Sequence, residues 1–286
     1  MFRPAVSAAP RPAALQVVPH PDDEALGACG TLLQLRDRGW EVITLACSLG
    51  RADQADRRLA ELAEACRRAG FRLRQTTHPV RISAGDDLDE AQRRLTAAIL
   101  DVLGEISPAL IMGPSPHDGH HGHEVVGRAI HRALADVPVR SRPRWWIWEL
   151  WSSLPVPTLY VPVPGATAER VDRVLQAHRG ELARSDYRRA LRARGELAAV
   201  LGAERVFGWG TDGTGDEYAE ILMEVLCDRG EWPLAAARRL DPDDPLAGAV
   251  PSGLDAGSWL ARTSQRTGIL GGAGDDIFGF TGRKIG

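Results

Sequence analysis

At 286 residues the chain can bury one large core, or one domain with an appendage. Its 44% hydrophobic and 26% charged content is that of an ordinary soluble globular protein, and a net charge of -3 excludes the basic footprint of a nucleic-acid binder. Cys29, Cys47, Cys66 and Cys227 lack C-x-x-C spacing and read as reduced thiols, Met1–Pro12 lacks the apolar core of a signal peptide, and no run approaches the roughly 18 apolar residues of a membrane span, so a cytoplasmic protein with no membrane partner is expected.

Strand and helix patterns alternate from residue 14. Ala14–Pro19 begins as a short apolar run of the buried-strand type. Pro19 and Pro21 stop it, and Asp23–Arg38 follows as a helix with Leu26, Cys29, Leu32, Leu33 and Leu35 on its apolar stripe. Asp22 and Asp23 stand where the first helical turn takes an oxygen cap and negative charge. Glu41–Cys47 reads as a second strand, Ala55–Ala69 as a helix closed by Gly70, and Phe71–Gln75 as a third strand. Asp87–Gly104 is a helix, Ala109–Met112 a strand, and His123–Ala135 a helix with Val126, Ala129, Ile130, Ala133 and Leu134 at helical spacing. Beyond it, Arg144–Trp151 and Thr158–Pro162 read as strands, Ala166–Ala183 and Asp186–Leu201 as paired helices, and Leu254–Thr263 as holding a short helix.

This order predicts an α/β fold, a Rossmann-like, mostly parallel sheet with helices on both faces. The expected domains are a tail over 1–13, the main domain over 14–240, and an irregular C-terminal extension over 241–286 that serves as a lid. In such sheets ligands sit at the carboxyl ends of strands near the topological switch point, and the fourth strand lies beside the first. The loops after Val18 and Met112 therefore face one another, and each carries a cluster. After the first strand come His20, Asp22, Asp23 and Glu24; carboxylates crowded this way resist ionising together unless a cation or a proton shares the site. After the fourth strand comes Pro116-His117-Asp118-Gly119-His120-His121-Gly122-His123-Glu124, which holds four of the eight histidines. Alone, that loop reads as solvated; facing the first cluster, it reads as half of a metal site.

Two histidines and one carboxylate with open positions make a catalytic zinc site, not a closed structural one. His20, Asp23 and His123 are assigned as the Zn2+ ligands. Asp22 is left to act on water as general base, and His120 to donate to an oxyanion or leaving nitrogen. The rival reading of His20-x-Asp22 with a distant His is the facial triad of a non-haem iron oxygenase, which wants a β-rich barrel.

The opening motif resembles the His-Pro-Asp-Asp-Glu signature of the LmbE-like superfamily, the N-acetylglucosaminyl-phosphatidylinositol de-N-acetylases. Arg58-x-x-Glu61 resembles the family's Arg-x-x-Glu helix, Asp118-x-His120-x-x-His123 its second metal motif, and Ala177-His178, Arg194-Gly195 and Ala203-Glu204 its C-terminal pattern. The resemblance covers roughly residues 14–207. It implies a zinc-dependent amidase that removes an acyl group, usually acetyl, from a glucosamine nitrogen. It also implies the same ligands, base and donor, with Arg58 near the sugar hydroxyls and Asp86 or Asp87 a vaguer candidate. The chain departs from the pattern at Pro19, where the family has Ala, and at His121-Gly122, where it has Pro-Asp; Asp118 could supply the missing carboxylate. Gly180-Glu181 stand where Ser-Gln is usual.

The tryptophans at 145–151 read as strand packing or as an aromatic wall for a large substrate, with Trp148 the candidate contact. His131 reads as solvated, His178 as structural. A GC-rich coding bias, the aromatic stretch and the Gly-rich extension favour a bulky natural product, so a glycopeptide antibiotic intermediate is the expected small-molecule glycosylated substrate. A sugar-inositol thiol precursor is the alternative, and an oligomer is compatible with the sequence.

Overall fold

The computed structural model describes residues 11–227 and 231–262, and the backbone of 281–282. In chain order the elements are β1 (Ala13–Val18), α1 (Asp23–Leu26), α2 (Cys29–Asp37), β2 (Glu41–Ala46), α3 (Ala55–Ala69), β3 (Arg72–Gln75), α4 (Leu88–Ile106), β4 (Leu110–Pro114), α5 (His121–Asp136) and β5 (Arg144–Trp148). They continue with β6 (Leu159–Val163), α6 (Gly165–Leu175), α7 (Arg179–Arg184), α8 (Tyr187–Phe207), β7 (Tyr218–Val225), β8 (Pro233–Ala235), β9 (Arg238–Arg239), β10 (Pro251–Asp255), α9 (Gly257–Ala261) and β11 (Thr281–Gly282).

β3, β2, β1, β4 and β5 lie side by side in that order, all parallel. This is the expected Rossmann-like sheet, with the chain reversing direction across it between β1 and β4. Beyond β5 the sheet turns antiparallel through β7, β8 and β10, with β6 also on β7. The strands form an open sheet, so the barrel that the iron-oxygenase reading needs is absent among the described residues.

Alternation along β1 sends Leu15 and Val17 to one face and Ala14 and Val18 to the other. On the first face they meet Leu95, Ile99 and Leu103 of α4 and Val126 and Ile130 of α5. On the second they meet Leu32 and Leu35 of α2, Leu62 and Cys66 of α3, and Val171 and Leu175 of α6. Both faces are covered, which a parallel sheet requires. No helix among the described residues is long and apolar enough to cross a membrane.

The structure corrects the sequence reading at several points. The expected helix over 23–38 is two helices, α1 and α2. The carbonyls of Leu26 and Gly27, left without helical partners at the break, accept from the Arg194 guanidinium. The expected helix over 166–183 is also two, interrupted at Gln176–His178. β7 was not anticipated.

His131 is not solvated. Its ring packs edge-on to Trp232 at 4.5 Å and stacks over Trp145 at 6.3 Å, and burial together with Arg132 and Arg142 pushes its pKa down to about 4. An unfolded His takes its proton near pH 6.5. As pH falls from about 6.5 to about 4, only the unfolded chain gains that proton, so this group withdraws stability over that window and adds no further change below it. His131→Gln is therefore expected to lose less unfolding free energy than the parent between those pH values, read by urea denaturation at each pH.

The described part of the 241–286 stretch does not stand apart from the sheet. β10 pairs with β8, and Ala256, Trp259 and Leu260 are buried in the same core as α5. The remaining residues of the expected tail or lid, apart from 281–282, lie outside the described residues.

Candidate metal centre

β1 and β4 are adjacent and parallel, with Gln16 opposite Met112, so the loops that leave their carboxyl ends emerge together. The first is sharp. After Pro19-His20-Pro21 the chain enters α1 through Asp22, whose φ of 117° puts a non-glycine residue in a sparsely populated region. Asp22 makes no side-chain cap; instead its own N–H donates to Glu24 Oε2 at 2.9 Å. The turn leaves Asp23 buried, accepting from the His20 backbone N–H at 2.9 Å. The second loop ends at His120, the N-cap of α5. In the first turn of that helix Gly122 lies so close to the His20 ring that a Cβ there would sit 2.9 Å from its Cε1.

The two loops join through Asp23. Its Oδ2 is 3.2 Å from His20 Nδ1 and its Oδ1 is 3.4 Å from His123 Nε2. Donor atoms that share one ion at about 2.0–2.2 Å in tetrahedral array stand about 3.3 Å apart, and these two contacts, one to each oxygen of Asp23, are of that length. Ring nitrogens of His20, His120 and His123 lie within 4.8 Å of one another, so His120 is a rival third imidazole.

Hydrogen bonds divide the histidines. His123 Nδ1 is 2.8 Å from Asp118 Oδ2, so that nitrogen keeps a proton, and Nε2, toward Asp23, is the nitrogen whose proton a metal would displace. His120 is the reverse: its Nδ1 accepts from the Gly122 N–H at 3.2 Å, so a neutral ring carries its proton on Nε2. A protonated nitrogen cannot ligate a metal. His123 thus leaves Nε2 for a metal, and a neutral His120 keeps an Nε2–H donor.

Asp118 is itself fixed. It is fully buried, and its Oδ1 faces the N–H groups of Leu150, Trp151 and Ser152 in the loop after β5. Asp118 thus orients His123, whereas Nδ1 of His120 meets the Gly122 N–H and not a carboxylate.

The charges describe a site that favours a cation. Burial opposes a charge on His123, yet Asp23 and Asp118 outweigh it and push its pKa up to about 10. Burial likewise opposes a charge on Asp23, but the imidazoles of His123 and His20 hold its carboxyl well below the usual carboxylate range. Asp22 goes the other way: burial, then the Asp23 carboxylate, raise its pKa well above that range. Burial and the nearby His123 and His20 rings push His120 down to about 3, so it is neutral at physiological pH.

Arg58 lies against Asp22. Its Nη2 donates to the Pro21 carbonyl at 2.9 Å and stands 3.8 Å from Asp22 Oδ1. Asp87 is exposed and caps α4, accepting from the Glu90 N–H. Trp148 is 1% exposed with its ring edge-on to His123 at 5.5 Å, so it backs the centre and has no face left for a substrate, correcting its place as a contact. The aromatic face at the rim belongs to Trp151, 54% exposed and stacked on His120 at 6.1 Å. A cavity of about 810 Å3 runs between α6 and α8, but none of the donor histidines or aspartates lines it.

Sheet order, switch point and a His/carboxylate centre define an α/β protein of the LmbE-like architecture. Residues 15–134 match the family model GlcNAc-PI de-N-acetylase (PIG-L). One relative, the Probable N-acetyl-alpha-D-glucosaminyl L-malate deacetylase 2 of Bacillus cereus, is 33% identical over 145 residues, 45% of this chain and 64% of the relative; the chain thus spans less than two thirds of its length. Among solved structures, the A40926 pseudoaglycone deacetylase Dbv21 is similar over 80% of this chain and 99% of its own (TM-score 0.58, 18% identity). GalB, the 4-carboxy-2-hydroxymuconate hydratase of Pseudomonas putida KT2440, is similar over 75% and 96% (TM-score 0.55, 16% identity). At such identities the likeness is one of fold, and this fold carries a hydratase as well as deacetylases, so the chemistry has to come from the site.

Proposed function

We propose that the protein is a zinc-dependent N-deacetylase acting on the N-acetylglucosamine moiety of a small-molecule conjugate. The observation that carries this reading is the division of labour among the histidines: His123 offers Nε2 to a metal and His120 keeps Nε2–H as a donor, beside a carboxylate, Asp22, that no metal requires. His20, Asp23 and His123 would hold the zinc. When bound, zinc supplies Lewis-acid polarisation of the amide carbonyl and acidifies a water to a pKa of about 7.

The protein's own steps follow from the geometry. Asp22 takes the proton from the attacking water; a carboxylate resting in a buried site holds a proton readily. His120 Nε2–H hydrogen-bonds the oxygen on which charge develops, and a neutral ring does this without repelling a nearby cation. The proton held by Asp22 then passes to the departing amine as the C–N bond breaks, and acetate and the free amino sugar leave. Arg58, beside Asp22, is placed to meet sugar hydroxyls or to hold the base.

Sequence likeness to a glucosaminyl malate deacetylase supports a small N-acetylglucosaminyl conjugate. The exposed ring of Trp151 favours a second reading, a bulky glycopeptide stacked at the rim. Mass spectrometry of an N-acetylglucosaminyl malate, a sugar-inositol and an N-acetylglucosaminyl glycopeptide incubated with zinc-loaded protein tests both. Loss of acetyl from the malate or inositol conjugate supports the first, loss from the glycopeptide alone supports the second, and no loss from any rejects the deacetylase reading.

A further inference from the structure

The strain at Asp22 needs a cause. A non-glycine residue adopts a φ of 117° only where its surroundings impose it. The nearest restraint is the Asp22 N–H donating to Glu24 Oε2. A carboxylate two residues away holds that amide only if its own position is fixed. The other oxygen of Glu24 is gripped by Nε2 of His178, and both side chains are fully buried.

His178 owes its place to the break between α6 and α7. As the N-cap of α7 it is fully buried. Glu181, one turn into α7, is the second contact. Its Oε1 lies 3.7 Å from Arg58 Nε, and Arg58 in turn holds the Pro21 carbonyl and faces the Asp22 carboxylate at 3.8 Å. Both flanks of Asp22 are thus reached from α7, through Glu24 on the backbone side and through Arg58 on the carboxylate side. The helix is seated for this. The Gly180 N–H donates to Glu61 Oε1 at 3.0 Å, and a Cβ at Gly180 would collide with the Arg57 guanidinium, so the turn between His178 and Glu181 lies tight on α3.

We propose that α7, through His178 and Glu181, is a positioning element that sets the backbone and carboxylate of Asp22 without touching metal or substrate. The proposal rests on the reading of Asp22 as the base of a deacetylase. His178→Ala, His178→Gln and Glu181→Gln separate the roles, because a Gln at 178 keeps an N–H donor for Glu24. His178→Ala should lower kcat by about 10–100-fold, as loss of a supporting hydrogen bond at a metal site does, with KM and zinc content unchanged. His178→Gln should recover most of that loss, and Glu181→Gln should lower kcat without changing KM.

Equal kcat losses in His178→Ala and His178→Gln, parental kcat in His178→Ala, or zinc loss along with activity would overturn the proposal. A readout independent of substrate is the Asp22 amide in 15N-resolved NMR spectra, strongly shifted by its carboxylate acceptor. It should move in His178→Ala and return in His178→Gln. An amide that does not move overturns the clamp even if none of the conjugates is a substrate, and one that moves as stated upholds it where the deacetylase reading alone has failed.

Discussion

Replacing Asp22 by Asn is expected to leave one zinc bound per chain and to cost turnover by about 10²–10⁴, the usual worth of a positioned general base. The amide is isosteric with the carboxylate, and the backbone N–H of residue 22 still finds Glu24, so the turn is retained. His20, Asp23 and His123 are unaltered as donors. Only the capacity to accept a proton is gone. A second consequence follows from the raised pKa of Asp22: burial and the adjacent Asp23 disfavour its charge in the fold. In metal-free protein at neutral pH, Asp22→Asn should therefore raise the urea midpoint relative to the parent. Zinc analysis and steady-state kinetics check the first expectation, denaturation of the apo forms the second. Loss of zinc in the variant would mean that Asp22 is a ligand and that the two aspartates exchange roles.

Asp118→Asn is expected to do the opposite, losing metal first. Three N–H groups, from Leu150, Trp151 and Ser152, face Oδ1 of Asp118. They force the carbonyl oxygen of an Asn toward themselves and its NH2 toward His123 Nδ1. Two donors cannot share that contact, so the ring must change tautomer, moving its proton to Nε2 and closing the lone pair to a metal. Supporting carboxylates at zinc sites are worth about 10–100-fold in affinity, and inversion of the tautomer places this variant at or beyond the upper end. Competition with a chromophoric chelator reads the affinity directly. Unchanged affinity would show that His123 is not held through Asp118.

What the sequence made legible is what periodicity and topology encode. The apolar run ending at Val18 and the helical stripe of Ala55–Ala69 are local patterns, and the structure has them within a residue or so. The meeting of the two clusters required only that β4 lie beside β1, which the alternation of elements predicts. Other features depended on contacts between distant segments. Tyr218–Val225 has Glu220 and Glu224 inside an otherwise apolar run and so hides its strand. Glu220 caps the start of α2 through Gly30 and Thr31, and Glu224 is paired with Arg144 and Arg238. The hold on Asp118 comes from amides more than thirty residues later, a backbone contribution with no signature in residue type. Trp148 and Trp151 are alike in composition, but Trp148 ends a strand facing inward and Trp151 follows the turn that brings its ring outside. His178 was invisible as a partner of Glu24 because the break that aims it lies within a stretch of unbroken helical pattern.

The chemistry at this site depends on which groups hold the metal. The most direct measurement is a crystal structure of the zinc-loaded protein with the ion placed by anomalous scattering. The arrangement derived above predicts zinc bonded to His20, to a carboxylate oxygen of Asp23 and to His123 Nε2, with Asp22 free and His120 still accepting from Gly122 through Nδ1. Zinc held by His20, His120 and His123, with Asp23 outside the coordination sphere, would contradict it and remove His120 as the donor.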